Sequence, residues 1–407
     1  MSAGRSYRIE DDSMKLLWVY SDFLHPTNRG GQIRTLETLK CLHRRHEVHY
    51  AGLWNPKFPE GPARAKEYAS FVYPVQRTVT DKTSPAFLLQ LARGLVTDIP
   101  VAVFRHRNDE MRATVDRLLR EHSFDHVVCD FLSSAPHFSD LSRAVLFQHN
   151  VEAMIWNRHV EHAGSSLRRY YFRRQARLML EYERQVCRSV KNIIAVSEAD
   201  AAKMRELYGV SRVAAVPTGV DVSYFRPTAE AEAATDLVFV GSMDWMPNID
   251  GAVWFVNEVL PLIKRKLPAC TLAVVGRTPG REVTDLAERE PGIRITGTVA
   301  DVRPWLWESK VSIVPLRIGG GTRLKIYEAM AAGTPVVSTT IGAEGLDISP
   351  GENILIADQP DAFAEACVRL LNSGTERQRV AAAAAQHVET KHSWEAAALE
   401  FERALQG

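Results

Sequence analysis

The string Gly319-Gly320-Gly321-Thr322-Arg323-Leu324-Lys325-Ile326-Tyr327-Glu328 combines residue types suited to a phosphorylated ligand, and Ala329-Met330-Ala331-Ala332-Gly333-Thr334-Pro335-Val336-Val337 continues it. Three consecutive glycines let the backbone come close to a ligand. Thr322 can cap a helix whose far end is marked by Gly333 and Pro335. The start of such a helix offers unpaired N–H groups and the positive end of the dipole, and Arg323 and Lys325 add positive charge there. Glu328 lies six residues past the cap, about 9 Å along the axis at roughly 1.5 Å per residue. Helical side chains lean back toward the N-terminus, which shortens that reach. Its carboxylate could accept bonds from ribose hydroxyls while the helix start holds phosphates. Taken singly these residues are ordinary, a glycine turn before a helix and a solvated glutamate. Together they read as a nucleotide-diphosphate site.

The elements that must position this site alternate. Short apolar runs at Lys15 to Tyr20, Val48 to Leu53, His126 to Cys129, Val145 to Gln148 and Ile193 to Val196 form a first set. Leu237 to Val240, Thr271 to Val275, Ile293 to Thr296, Val311 to Val314 and Val336 to Ser338 form a second. Segments of helical length and periodicity lie between them, such as Asn108 to His122 and Ile249 to Leu267. Strand and helix in alternation predict an α/β chain with parallel sheets covered on both faces. The proline- and glycine-containing stretch 217–235 separates the two sets. The predicted organisation is a leader at 1–13, a first domain at 14–216, a linker at 217–235, a second domain at 236–390 and a terminal helix within 391–407.

With 407 residues, 45% hydrophobic and 24% charged, the chain exceeds one ordinary core and reads as globular. A formal net charge of +1 supplies no global field for nucleic acid. Five scattered cysteines (Cys41, Cys129, Cys187, Cys270, Cys367) contain no Cys-x-x-Cys pair, which points to a reduced, cytoplasmic setting without a zinc site or disulfide frame. No apolar run approaches the length of a membrane span. The segment 164–188 is basic and aromatic and could touch anionic lipid headgroups or a polyanionic acceptor. A solvated helix face paired with Glu181 and Glu183 is the plainer reading.

The run Glu328-Ala329-Met330-Ala331-Ala332-Gly333-Thr334-Pro335-Val336-Val337 resembles a signature of retaining glycosyltransferases of the GT-B fold in the large family four: Glu-x7-Glu, then Ala-x-Ala-x-Gly-x-Pro-Val-Val. The stretch Pro217-Thr218-Gly219-Val220-Asp221 is similar to that family's Pro-Asn-Gly-Val-Asp segment between its halves. The resemblance implies two Rossmann-like domains with parallel sheets facing a central cleft. It also implies transfer of a hexose-type sugar, with retention, from a nucleotide-diphosphate sugar. A UDP-sugar is favoured and a GDP-sugar is open. The acceptor would be a glycan, a lipid-linked sugar or a small molecule, in cell-surface polysaccharide or glycolipid synthesis.

Residue by residue, Glu328 would bind the ribose. Gly320 stands where the family's first glutamate binds donor-sugar hydroxyls, so that contact does not carry over. Gly30 and Gly31, after the first strand, match the family's first glycine loop and would approach the donor phosphates. Gly321, Thr322, Leu324 and Ser242 complete the donor-binding candidates. His149, at the end of Val145 to Gln148, matches a histidine placed near the reacting sugar; Asp130 and Glu152 are weaker candidates at neighbouring strand ends. The family often sets an arginine and a lysine after the first strand of its second domain. Here Gly241-Ser242-Met243-Asp244-Trp245-Met246-Pro247-Asn248 carries no base. Arg323 and Lys325 are the expected replacements, with Arg317 or Arg277 behind them. Together with His149 they are the candidate catalytic groups. No Asp-x-Asp occurs, so neither a metal nor another cofactor is expected. A nucleotide-sugar epimerase on the same fold, or a non-catalytic nucleotide-sugar-binding protein, remains open beside the transferase.

Overall fold

Near-continuous runs of Val, Ile and Leu are what a parallel sheet covered on both faces requires, and such runs build both sheets of this chain. The computed structural model describes residues 13–27, 30–77, 99–161, 165–227, 233–318 and 323–407. All of the leader except Ser13, together with Gly320, Gly321 and Thr322, therefore lies outside the described residues. One unit spans Met1–Pro217 and Ala398–Gly407, the other Thr218–Ala397.

In the first unit β1 (Lys15–Tyr20), β2 (Glu47–Trp54), β3 (Phe71–Gln76), β4 (His126–Asp130), β5 (Ala144–Gln148), β6 (Asn192–Ala195) and β7 (Val213–Ala215) pair in parallel. Their order is β3-β2-β1-β4-β5-β6-β7. In the second unit β8 (Thr235–Val240), β9 (Leu272–Val275), β10 (Ile293–Ile295), β11 (Ser309–Val314), β12 (Val336–Ser338) and β13 (Leu355–Ile356) follow the order β10-β9-β8-β11-β12-β13. Each order reverses beside the unit's first strand, between β1 and β4 and between β8 and β11. The loops leaving those strands part in opposite directions and open a crevice at the carboxyl ends, where doubly wound sheets take their ligands.

Three strands escape the reading of apolar runs. β3 contains Pro74 and sits at the sheet edge, the place where a strand tolerates a missing N–H. β7 and β13 have only three and two residues, and each carries a single β-branched residue. The stretch read as a linker is not a bare tether in its described part. Val222–Phe225 is a short helix, and Val220 and Phe225 are buried in the second unit's core.

The last ten residues belong to the first unit. The helix Trp394–Gln406 carries Phe401, fully buried, against Trp18 (ring centroids 5.4 Å) and Phe147 (4.9 Å). Glu402 accepts from His46 at 2.8 Å, and the Ala404 carbonyl accepts from Asn192 at 2.9 Å. Replacing Phe401 by Ala leaves a cavity among close-packed rings, for which a cost of about 3–5 kcal/mol is expected. Urea denaturation of the variant should show a lower midpoint, and an unchanged midpoint would mean that the terminal helix is not part of this core.

Candidate functional site

At the strand-order reversal of the first sheet, β4 ends in Asp130, which has no solvent exposure. A buried carboxylate needs donors, and three are supplied. Trp18 Nε1 (2.9 Å) and Thr35 Oγ1 (2.7 Å) donate to Oδ2, and His149 Nε2 lies 2.8 Å from Oδ1. His149 Nδ1 is 3.1 Å from Arg34 Nη1. Because guanidinium only donates and carboxylate only accepts, the ring must carry its proton on Nε2 and accept through Nδ1. Burial lowers the His149 pKa to about 4, with Asp130 opposing and Arg34 assisting. The same burial brings Arg34 down to about 10. His149 is thus neutral near pH 7 with both ring nitrogens engaged.

Phe131, directly after β4, stacks flat on the His149 ring with centroids 3.8 Å apart. Its φ of 64° lies where side-chain-bearing residues are strained, a conformation that costs roughly 1–3 kcal/mol. The opposite edge of that ring explains a glycine. A Cβ on Gly31 would stand 2.4 Å from Phe131 Cζ, whereas Gly30 meets nothing within 4 Å. The helix Gly30–His43 begins at these glycines rather than at Gln32, so they form its first turn. Beneath His149, Gln148 donates to the buried Glu183 (3.0 Å) and accepts from the Leu132 amide (3.0 Å). Glu183 also takes the amides of Glu152 (3.1 Å) and Ala153 (2.9 Å) and the Tyr208 hydroxyl (2.5 Å). It therefore caps the helix Glu152–Glu161 from inside the protein. Burial, with Glu183 adding to it, raises the Glu152 carboxyl to about 7.

Beside the corresponding reversal of the second sheet, β8 and its neighbour β9 are followed directly by Gly241 and Gly276. A Cβ on Gly276 would lie 1.7 Å from the Gly241 carbonyl oxygen, so only glycine permits this approach. After β11, the helix Leu324–Ala331 has Arg323 at its N-cap position, one residue later than Thr322. Gly333 has the expected positive φ of 72° at the far end. Lys325 sends its ammonium over the Phe239 ring (4.9 Å to the centroid) to Asn248 Oδ1 at 2.8 Å. Burial lowers its pKa to about 7, Arg323 lowers it further and Glu328 opposes. The buried Arg323 guanidinium lies 5.1 Å from the centre of the Trp245 ring. Glu328, one turn beyond Lys325 on the helix, is half-buried, and its carboxyl is raised by burial and lowered by Lys325. Leu324, also half-buried, opens the helix. Ser242 donates to Asp244 (2.6 Å) and accepts from Arg277 Nε (2.7 Å). Arg317 pairs instead with Asp250 at 2.5 Å.

The structure brings Arg323, Lys325, Glu328 and Ser242 to one strand-order reversal, and Gly30, Gly31 and His149 to the other. Arg34, Phe131 and Asn248 went unread, although Asn248 lay in a motif already singled out. Glu183, expected on a solvated helix face, is instead fully buried. Among the described residues, one group has metal-ligand geometry: Asp347, His387 and His392. Its side chains are otherwise engaged. His387 Nε2 lies 2.7 Å from the Asp347 carbonyl, His392 Nε2 lies 3.2 Å from the Tyr327 hydroxyl, and Lys391 sits 3.3 Å from the Asp347 carboxylate.

Comparison with known proteins agrees with this architecture. Residues 28–224 match the family described as Glycosyltransferase Family 4, and residues 234–373 match Glycosyl transferases group 1. An uncharacterized 44.6 kDa protein in the cps region of Klebsiella pneumoniae is 21% identical over 86% of this chain and 89% of its own length. The D-inositol 3-phosphate glycosyltransferase of Thermomonospora curvata is 28% identical over 53% of this chain; the match spans only 56% of that enzyme. Among solved structures, Anabaena HepE in complex with UDP and glucose superposes with a TM-score of 0.62, covering 97% of this chain and 100% of its own. At 13% identity that likeness speaks for the fold.

His149 yields a pH prediction. Its folded-state pKa of about 4 lies below the ordinary 6.5, so the unfolded chain takes up the proton first. Stability from the neutral buried ring is complete above pH 6.5 and drains away as pH falls toward 4, by about 3 kcal/mol in all. Thermal melting across that window should show a steep acid limb. His149→Gln should flatten it; an equal slope in the variant would assign the loss to other groups.

Proposed function

We propose that this chain, a glycosyltransferase of the GT-B fold, moves a hexose-type sugar with retention from a nucleotide-diphosphate sugar to a glycan, lipid-linked or small-molecule acceptor. The observation that carries the reading is one short helix. It opens at a strand-order reversal with Arg323 and Lys325, and one turn further presents the carboxyl of Glu328. The cations suit a diphosphate, and the carboxyl suits ribose hydroxyls. A UDP-sugar is the favoured donor, supported by the UDP and glucose bound in HepE; a GDP-sugar is the second choice. The cps-region relative favours a role in surface polysaccharide or glycolipid synthesis.

In the proposed reaction the acceptor hydroxyl attacks the anomeric carbon from the leaving-group face. The bond from that carbon to the phosphate oxygen breaks, the new glycosidic bond forms, and the departing phosphate takes the acceptor's proton. Charge growing on the phosphate is met by Arg323 and Lys325, an electrostatic contribution that needs no metal.

Among the described residues no helix is long and apolar enough to cross a membrane. The helix Ser166–Ser189 exposes Leu167 (78%) and Tyr170 (71%) beside the exposed Arg168 and Arg173. That face supports peripheral contact with anionic lipid on the cytoplasmic side.

Glu328→Gln should weaken UDP binding by about 1.5–3 kcal/mol, the contribution of a hydrogen bond to a charged group. Calorimetric titration measures this directly, and unchanged affinity in the folded variant would remove Glu328 from the ribose. Transfer should persist in excess chelator, and Arg323→Ala should lower turnover by about 10²-fold. The assay is release of nucleoside diphosphate with stoichiometric glycoside. Loss of activity in chelator, restored by magnesium or manganese, would refute metal-free transfer.

A further inference from the structure

The turn from Gly241 to Asn248 contains no basic residue, yet an ammonium stands inside it. Gly241 makes the room: a Cβ there would lie 2.7 Å from both Lys325 Nζ and Asn248 Nδ2. Asn248 is buried and fastened at both ends. Its oxygen accepts from Lys325 at 2.8 Å, and its nitrogen donates to the Ser242 carbonyl at 2.8 Å. Turning the amide over would set nitrogen against ammonium and oxygen against carbonyl, so its orientation follows from the partners alone.

We propose that Asn248 is the positioning residue of the phosphate site, holding the Lys325 ammonium in the hollow of Gly241 without neutralising it. This rests on the reading of Lys325 as a phosphate-binding cation. A carboxylate at 248 would form an ion pair and cancel the charge that a diphosphate is meant to meet. A neutral amide engages one of the three N–H donors of the protonated amine and leaves two, without cancelling its charge. The other charged groups around the ammonium do not undo this. Arg323 and Glu328 on its own helix act in opposite directions. Asp244 on the turn is engaged by the Ser242 hydroxyl (2.6 Å) and faces Arg277 (3.6 Å). Phe239, from β8, is uncharged. The rival account is that Asn248 only closes the turn, through its bond to Ser242 and its amide bond to the Trp245 carbonyl at 2.9 Å.

Calorimetric titration of the full chain with UDP, and with GDP if UDP is silent, separates the two accounts. The proteins compared are wild type, Asn248→Ala, Asn248→Asp, Lys325→Met and the Asn248→Ala/Lys325→Met pair, with thermal melting as the folding control. Positioning through Lys325 predicts that Asn248→Ala weakens binding about tenfold in the wild type and less than about twofold when Lys325 is already Met. Asn248→Asp keeps the shape of the side chain and its acceptor oxygen. It should move the alkaline loss of affinity, expected between about pH 7 and 9 in the wild type, to higher pH, because a carboxylate favours the protonated amine. An equal loss from Asn248→Ala in both backgrounds, or an unshifted pH profile in Asn248→Asp, overturns the proposal while leaving the nucleotide site intact. Wild-type protein that binds neither nucleotide, or Lys325→Met that binds as well as wild type, overturns the phosphate-site reading and this inference with it.

Discussion

A carboxylate with no access to solvent at the end of a central strand cannot be left unanswered, and Asp130 organises the first unit around its answer. Indole, hydroxyl and imidazole donors converge on it from β1, from the helix Gly30–His43 and from the residue after β5. Each of these elements is thereby registered against the others. The imidazole then recruits Arg34, and Phe131 lies flat on the imidazole under backbone strain. Glu183 repeats the device one layer down, tying β5 to the start of the next helix and to Tyr208. Removing one partner of such a network exposes the rest to the full desolvation cost of an unmatched polar group.

The second unit uses charge in the opposite manner at the same topological position. There the buried charge is a cation, and its fixed partner is a neutral amide. The Asp130 network saturates its charge and so behaves as scaffolding. The ammonium of Lys325 has no carboxylate bonded to it among the described residues, and burial together with Arg323 pulls its pKa toward neutrality. A dianionic ligand would restore what the fold withholds.

Ten of the thirteen strands among the described residues could be read from runs of β-branched and aliphatic residues, because a sheet buried on both faces leaves no ambiguity of period. The strands lost were those that a proline or sheer brevity hides. On the site, the helix bearing Arg323, Lys325 and Glu328 was legible because glycine, capping and charge signals coincide within ten residues. Arg34, Phe131 and Asn248 were not legible, since their roles come from partners 115, 18 and 77 positions away. Pairing across such distances leaves no local signature. The space that a side chain on Gly31 would need is taken by the Phe131 ring, a neighbour the sequence does not disclose. A glycine announces close approach without saying to what.

The return of the last ten residues to the first unit has a consequence for synthesis. The second unit, Thr218–Ala397, amounts to a 180-residue insertion between two parts of one core. At ribosomal speeds of about 5–20 residues per second, roughly ten to forty seconds separate the first unit's main body from the ring of Phe401. During that interval Trp18 and Phe147 present apolar faces with nothing seated on them. The nascent chain must therefore protect an incomplete core for the whole time its second half is being made. Synthesis of the segment that carries Phe401, rather than of the first unit's main body, supplies the missing ring.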